Sequence, residues 1–305
     1  MSPRRKRAAA GELREKFSVS ERRACRALDQ PRSSQRYREK PRDDEAPLVK
    51  RMLELVREHV RYGYRRIAAL LKREGWRVNV KRVYRLWRKE GLKVPVKKRK
   101  KRRLGVKENG CDRREARHKN DVWAWDFVHD RTTSGAPIKC LTIVDEFTRE
   151  SLALKIDRSI TSEDVIDALC ELLAMRGVPG HIRSDNGPEF VANELRGWLE
   201  KVGVGTLYIE PGAPWQNGYA ESFNSKLRDE FLAIEEFESL AAARKLGAAW
   251  REDFNHHRPH SSLEYLTPVE FAARCPHSAP QPLEASPQAA APLRGGSGFT
   301  QTVLS

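Results

Sequence analysis

Three acidic residues stand where their surroundings make a carboxylate chemically informative. Asp126 lies inside Trp123-Ala124-Trp125-Asp126-Phe127-Val128, a run that otherwise reads as a buried strand. An ionised group in such a run costs several kcal/mol unless something compensates it. Asp185 ends a short expected strand and is followed by Asn186-Gly187-Pro188, a loop signature. Glu221 sits near the start of a helical pattern, within Gln216-Asn217-Gly218-Tyr219-Ala220-Glu221-Ser222-Phe223-Asn224. If brought together, three carboxylates make an oxygen-rich site suited to Mg²⁺ or Mn²⁺. Two such ions about 3.5–4 Å apart can activate an attacking oxygen and stabilise a leaving one during phosphodiester cleavage. Asn217, Glu221, Asn224 and Arg228 recur at steps of four, three and four, so one helix face is expected to offer amide, acid, amide and cation to a phosphate chain. Asp130 shares the strand parity of Asp126, and Asp145 ends the next strand, so either is a rival ligand.

Strands and helices must hold these residues. Val122–Val128, Ile138–Val144 and Ser151–Ile156 read as three consecutive strands. A helix over Ser162–Met175 follows, closed by Gly177 and Pro179, then a strand His181–Ser184 and a helix Ala192–Val202. A last strand spans Val204–Ile209, and a long helix begins after Pro214. The expected body, residues 118–275, is therefore an α/β domain with a mixed five-stranded sheet flanked by helices.

Charge divides the 305 residues unevenly. The chain carries 58 Lys and Arg against 42 Asp and Glu, a formal net of +16. Residues 1–107 hold 37 basic and 12 acidic side chains, net +25, whereas the remainder is net −9. A basic arm on a mildly acidic body points to a polyanionic partner. Hydrophobic residues make up 39%, enough for a real core, and the five cysteines are scattered without a CxxC pair. No apolar run reaches the ~18 residues of a membrane span, so a soluble protein of a reducing compartment is expected.

Within the arm, residues 1–45 read as a basic helix-turn-helix-like segment. A short helical pair is expected over 10–40, with Ser18 and Glu21 at capping-box spacing and Pro31 as a stop. Residues 46–92 give a stronger three-helix pattern. Leu48, Met52, Leu55 and Val56 mark the first helix, and Ile67, Leu70 and Leu71 the second. Asn79 caps the third, in which Val80, Val83, Tyr84, Leu86 and Trp87 are expected to face a core. Lys81, Arg82, Arg85, Arg88 and Lys89 then line its outer side, as in a helix that enters the DNA major groove. Residues 93–117 form a basic linker around Lys97–Arg103, and 276–305 an Ala/Pro-rich tail expected to be disordered.

Together these residues carry a resemblance. Asp126, Asp185 and Glu221, with 35 residues between the last two, resemble the DDE signature of retroviral integrases and related transposases. Trp123-Ala124-Trp125-Asp126-Phe127, Ser184-Asp185-Asn186-Gly187-Pro188-Glu189-Phe190 and His257-Arg258-Pro259-His260-Ser261-Ser262-Leu263 extend it. The pattern, over about residues 10–275, is similar to the second-reading-frame (OrfB) subunit of bacterial insertion-sequence transposases of the integrase-like insertion-sequence-three family. That resemblance implies a ribonuclease-H-like core, two catalytic Mg²⁺ ions replaceable by Mn²⁺, and cutting and joining at element ends. It assigns Arg228 as the family's basic residue seven positions after the glutamate. It also implies double-stranded DNA as partner, a homo-oligomer on that DNA, an upstream OrfA subunit, and a bacterial cytoplasmic, nucleoid-associated location. The N-terminal zinc site of retroviral integrases has no counterpart, since Cys25 and His59 alone represent Cys and His in residues 1–110. Two other readings stay open on sequence alone: an inactive, sequence-specific DNA-binding repressor derived from a transposase, and a plain ribonuclease-H-type nuclease.

Overall fold

The computed structural model describes residues 2–37, 42–94, 114–184, 193–208 and 217–276. Asp185, most of the basic linker and the Ala/Pro-rich segment after Pro276 lie outside the described residues. The chain divides into two compact units, 1–58 and 59–305, and the division falls inside the expected 46–92 segment.

In the first unit, α1 (Pro3–Phe17), α2 (Glu21–Ala27) and α3 (Arg32–Arg36) pack together around buried Ala10, Ala24 and Cys25. The expected pair of helices is thus three. Pro3 in the first turn and Ser2 as cap start α1 in a stretch with no apolar rhythm to announce it. Ser18 is also not the cap expected of it. It ends α1 in the left-handed region at φ 47°, and Ser20 caps α2 by accepting from the Arg23 N–H. Glu21 then binds Arg36 at 2.7 Å and Arg32 at 3.4 Å, tying α2 to α3. The fourth helix, α4 (Glu45–Glu58), buries Leu48, Met52 and Leu55 at the predicted spacing.

The second unit opens with α5 (Tyr64–Arg73) and α6 (Val80–Lys89), packed on each other through Ile67, Leu71, Val83, Leu86 and Trp87. Asn79 caps α6 as expected, accepting from the Lys81 N–H at 2.9 Å. Tyr84 departs from expectation. It is 42% exposed and lies against Tyr64 at a ring distance of 4.7 Å. One residue beyond Val83, it has turned to the helix edge, where an amphipathic ring keeps its hydroxyl wet. Lys81, Arg85, Arg88 and Lys89 are exposed and Arg82 is half-buried.

The body holds β1 (Val122–Arg131), β2 (Pro137–Asp145), β3 (Ser151–Asp157), α7 (Ser162–Arg176), β4 (His181–Ser184), α8 (Asn193–Val202) and β5 (Gly205–Tyr208). After these come α9 (Gly218–Leu227), a π-helical turn Arg228–Leu232, α10 (Leu240–His256), a 3₁₀ turn Ser261–Leu263 and α11 (Pro268–Arg274). The sheet order is β3-β2-β1-β4-β5. β1–β2 and β2–β3 are antiparallel, whereas β1–β4 and β4–β5 are parallel. This is the mixed five-stranded, ribonuclease-H-like sheet that the sequence implied.

Strand alternation builds a core on each face. Trp123, Trp125, Leu141 and Ile143 meet Val165, Leu169 and Leu172 of α7 and Leu195 and Leu199 of α8. Ala124, Val128, Cys140 and Val144 meet Phe223 and Leu227 of α9, Phe231 of the π turn and Phe254 of α10. Burying each such Phe stabilises the fold by roughly 1.5–3 kcal/mol. Gly247 lets α10 settle on β3, since a Cβ there would come within 2.5 Å of Ile156 Cδ1. The expected long helix after Pro214 is instead interrupted: α9 gives way to the π turn, and α10 and α11 follow as separate helices. Among the described residues no helix is long and apolar enough to cross a membrane.

Candidate active site

Asp126 has the parity of Ala124 and Val128, so its side chain emerges on the α9 side of the sheet. Its compensation is visible. Oδ1 accepts from the Phe127 N–H at 2.7 Å, and Oδ2 accepts from Asn224 Nδ2 at 2.7 Å. Asn224 Oδ1 in turn accepts from Thr142 Oγ1 at 3.0 Å, and Thr142 is the β2 partner opposite Asp126. A short chain of hydrogen bonds thus runs from β2 through α9 to the carboxylate and fixes its direction. Two of the roughly four acceptor positions of a carboxylate are used by these bonds.

Glu221 rises from the first turn of α9 and is exposed. Asp126, Glu221, Asn224, Ser225 and Arg228 line one open cleft of about 700 Å³. The structure therefore brings two of the three sequence-predicted acids to a common space, while Asp185 lies outside the described residues. Among the described residues no three His, Cys, Asp or Glu side chains form a metal cage. β4 ends at Ser184, one residue before Asp185, and its last positions are held firmly. Arg183 is 5% exposed, and its Nε binds Glu146 Oε1 at 2.8 Å.

The uniform outward face expected of α9 is corrected. Asn217 is the helix N-cap, 3% exposed, with Nδ2 donating to the Trp125 carbonyl at 3.5 Å. Asn224 is 1% exposed and engaged by both strands. Both amides bond to the sheet, because α9 packs flush on β1 and β2. Glu221 and Arg228 remain outward. The rival acids also separate. Asp145 is fully buried and accepts from the backbone N–H groups of Asn120, Phe147 and Thr148; burial pushes its carboxyl up, against those donors. Asp130 caps the Arg131 N–H near the far end of β1. Asn224→Ala should lower unfolding free energy by about 1–3 kcal/mol, because Thr142 and Asp126 lose a buried partner. A urea melt indistinguishable from wild type would show that this chain does not hold Asp126.

Sequence reasoning missed a second polar cluster beside α9. Glu230 accepts from Arg258 Nε at 2.6 Å, Arg258 Nη2 at 2.7 Å and Arg66 Nη1 at 3.0 Å. Burial would raise the Glu230 carboxyl, but the two guanidiniums outweigh it and hold it below the ordinary carboxylate value. Arg258 Nη1 also donates to His260 Nε2 at 3.3 Å. Burial, with Arg258, Lys226 and Arg66 nearby, brings His260 down to about 2, so its imidazole is neutral. The His257-Arg258-Pro259-His260 string was the signal, but its partner Glu230 could not be read from spacing.

A sheet of this order, with acids from β1 and α9 meeting at one cleft, defines an integrase-type core. Integrase core domain models match residues 116–214 and 202–268, and an HTH-like domain model matches 42–100. An uncharacterized 31.7 kDa protein of insertion element IS407 from Burkholderia multivorans is 44% identical over 262 residues, covering 86% of this chain and 94% of that relative. A 39.2 kDa protein of insertion element IS476 from Xanthomonas euvesicatoria is 41% identical, covering 90% of this chain and 78% of the relative. Transposase InsD of insertion element IS2 from Escherichia coli is 28% identical, over 75% of this chain and 79% of InsD. Among solved structures, the HTLV-2 integrase catalytic core domain in complex with magnesium aligns at a TM-score of 0.40 and 19% identity, over 51% of this chain and 97% of that one. The chain belongs to the insertion-sequence transposases with an integrase core, the OrfB type of the insertion-sequence-three family.

Proposed function

We propose that this protein is a DNA transposase that binds the terminal inverted repeats of an insertion sequence and performs Mg²⁺-dependent strand cleavage and strand transfer. The observation that carries the reading is the convergence of Asp126 and Glu221, from separate elements, on one open cleft with Arg228 at its edge. The donor set is hard oxygen, which suits Mg²⁺. Asp126, Glu221 and Asp185 would hold two ions, which when bound supply charge stabilisation at the attacking and leaving oxygens. Ala124 pairs with Arg183 in the parallel β1–β4 ladder, so the chain leaves β4 abreast of the segment bearing Asp126. That placement supports Asp185 as the third ligand.

The chain's own residues do the rest. Asn224 orients Asp126 from within the fold, and Asn217 pins the start of α9 to β1. Arg228 is placed to steady a phosphate beside the reacting one. Lys81, Arg82, Arg85, Arg88 and Lys89 on α6 serve as the DNA-reading face, with phosphate contacts setting affinity and base-edge contacts setting sequence choice. Residues 46–92 act as the DNA-binding domain and 118–275 as the catalytic core. A homo-oligomer on DNA, an OrfA partner and action at the bacterial nucleoid complete the reading.

The test is cleavage and joining of a labelled terminal fragment beside a gel shift on the same fragment. Cleaved and joined products are expected with Mg²⁺ and none with excess EDTA, while binding occurs in both. A protein that binds the ends but never cuts, even with the upstream subunit supplied, would instead be the DNA-binding repressor.

A further inference from the structure

The edge of α9 turned away from Glu221 borders a second cavity, of about 300 Å³, lined by Arg66, Arg149, Ser222, Lys226, Arg258 and His260 among others. Ser222 and Lys226 lie one turn apart, and Lys226 Nζ donates to Ser222 Oγ at 3.0 Å. Three guanidiniums and one ammonium therefore face one small space. One carboxylate, Asp145, lines it, and a second, Glu230, stands outside the lining and pairs with two of these cations. Asp145 is held by three backbone N–H groups, and Glu230 is shared between Arg258 and Arg66. Arg149 stacks on Tyr219, 3.7 Å from its centroid. Among the described residues Lys226 has no carboxylate within ion-pair distance. Burial, with Arg258, Arg66 and Arg149 nearby, draws its ammonium down to about 8, despite Glu230. Like charges crowded in a half-buried space repel one another, and an anion placed among them relieves that repulsion. Arg258 itself is 2% exposed and His260 4%, so two walls are rigid parts of the interior.

We propose that this cavity seats one phosphate group, a phosphodiester of the DNA strand that crosses α9 on its way to the Asp126–Glu221 cleft. The proposal rests on the transposase reading for its source of phosphate. The guanidiniums and the ammonium offer charge-assisted donors, and the Ser222 hydroxyl adds an uncharged one. Glu221 and Lys226 stand on different faces of one ten-residue helix, so a strand held in the cavity would be clamped at a fixed offset from the acids.

The full-length chain is melted in millimolar inorganic phosphate against chloride of equal ionic strength. Phosphate should raise the wild-type midpoint by about 2–4 °C. Lys226→Gln should lose most of that rise, while its midpoint without phosphate is no lower than wild type, since one crowded cation is gone. Ser222→Ala, an exposed and mild change, should lessen the rise in the same direction. On a labelled terminal duplex without Mg²⁺, the slope of log K against log salt should fall by about one for Lys226→Gln. No phosphate-specific rise in wild type, or an equal rise in Lys226→Gln, overturns the site. A rise lost in Lys226→Gln with an unchanged salt slope overturns the DNA source. Neither readout needs turnover, so a protein that shows both effects yet never cuts DNA refutes the transferase reading and not the seat.

Discussion

Glu221→Gln is expected to reduce strand cleavage and joining by at least about a hundredfold while end binding persists. The exchange keeps the size of the side chain and removes one negative charge from the cleft. If Glu221 holds a catalytic ion, that charge fixes both the affinity and the position of the metal. Losing transition-state stabilisation of this kind commonly costs several kcal/mol, and each 1.36 kcal/mol is tenfold in rate. Among the described residues the Glu221 side chain makes no hydrogen bond, and it is exposed. Thermal stability should therefore stay within about 0.5 kcal/mol of wild type. The measurement pairs the labelled-end cleavage assay with a gel shift and a melt. Undiminished cleavage by Glu221→Gln would move the third ligand to another residue.

Arg258→Leu should have the largest effect on stability. Arg258 and Glu230 form a nearly buried bidentate pair at 2.6 and 2.7 Å. Removing the guanidinium leaves Glu230 with Arg66 in a poorly solvated place, which for buried pairs costs about 3–5 kcal/mol. Urea unfolding is the check, and a loss under about 1 kcal/mol would deny the pair its structural role. The cluster also sets an acid sensitivity. Glu230 is depressed below its ordinary 4.5, so its contribution is present above that value and fades as pH falls through the folded one. His260 is folded neutral, with its ordinary 6.5 lowered to about 2. The unfolded chain therefore takes up that proton first, and stability should decline as pH drops below about 6.5. In Arg258→Leu the Glu230 part of this decline should shrink, because its depression depends first on that guanidinium.

Legibility differed by element for physical reasons. β1, β2 and β3 were readable because they are dense in apolar and β-branched residues, and the expected strand His181–Ser184 coincides with the observed β4. That Asp126 has a compensating neighbour was legible, because a charge in a buried strand demands one. The inward turn of Asn224 was not, since spacing places it beside Glu221 on the helix and packing decides which of them meets the sheet. α1 escaped because Pro3–Phe17 has a weak apolar face, and α10 because its small residues, Ala241 to Ala243 and Gly247, give little rhythm. The Arg258 cluster was invisible because its partners are distant in sequence. Tyr84 and Ser18 failed at the level of a single residue, where one step around a helix or one extra turn changes the outcome.

The ties between α5 and the body also dictate an order of assembly. Arg66 meets Glu230 across 164 residues, and Arg73 meets Glu270 across 197. On the ribosome, α5 emerges long before either partner exists. Local helix pairing of α5 with α6 is complete early, but its charged side must wait for the acids of the π turn and of α11. Closure of this unit therefore waits until the π turn and α11 have been made.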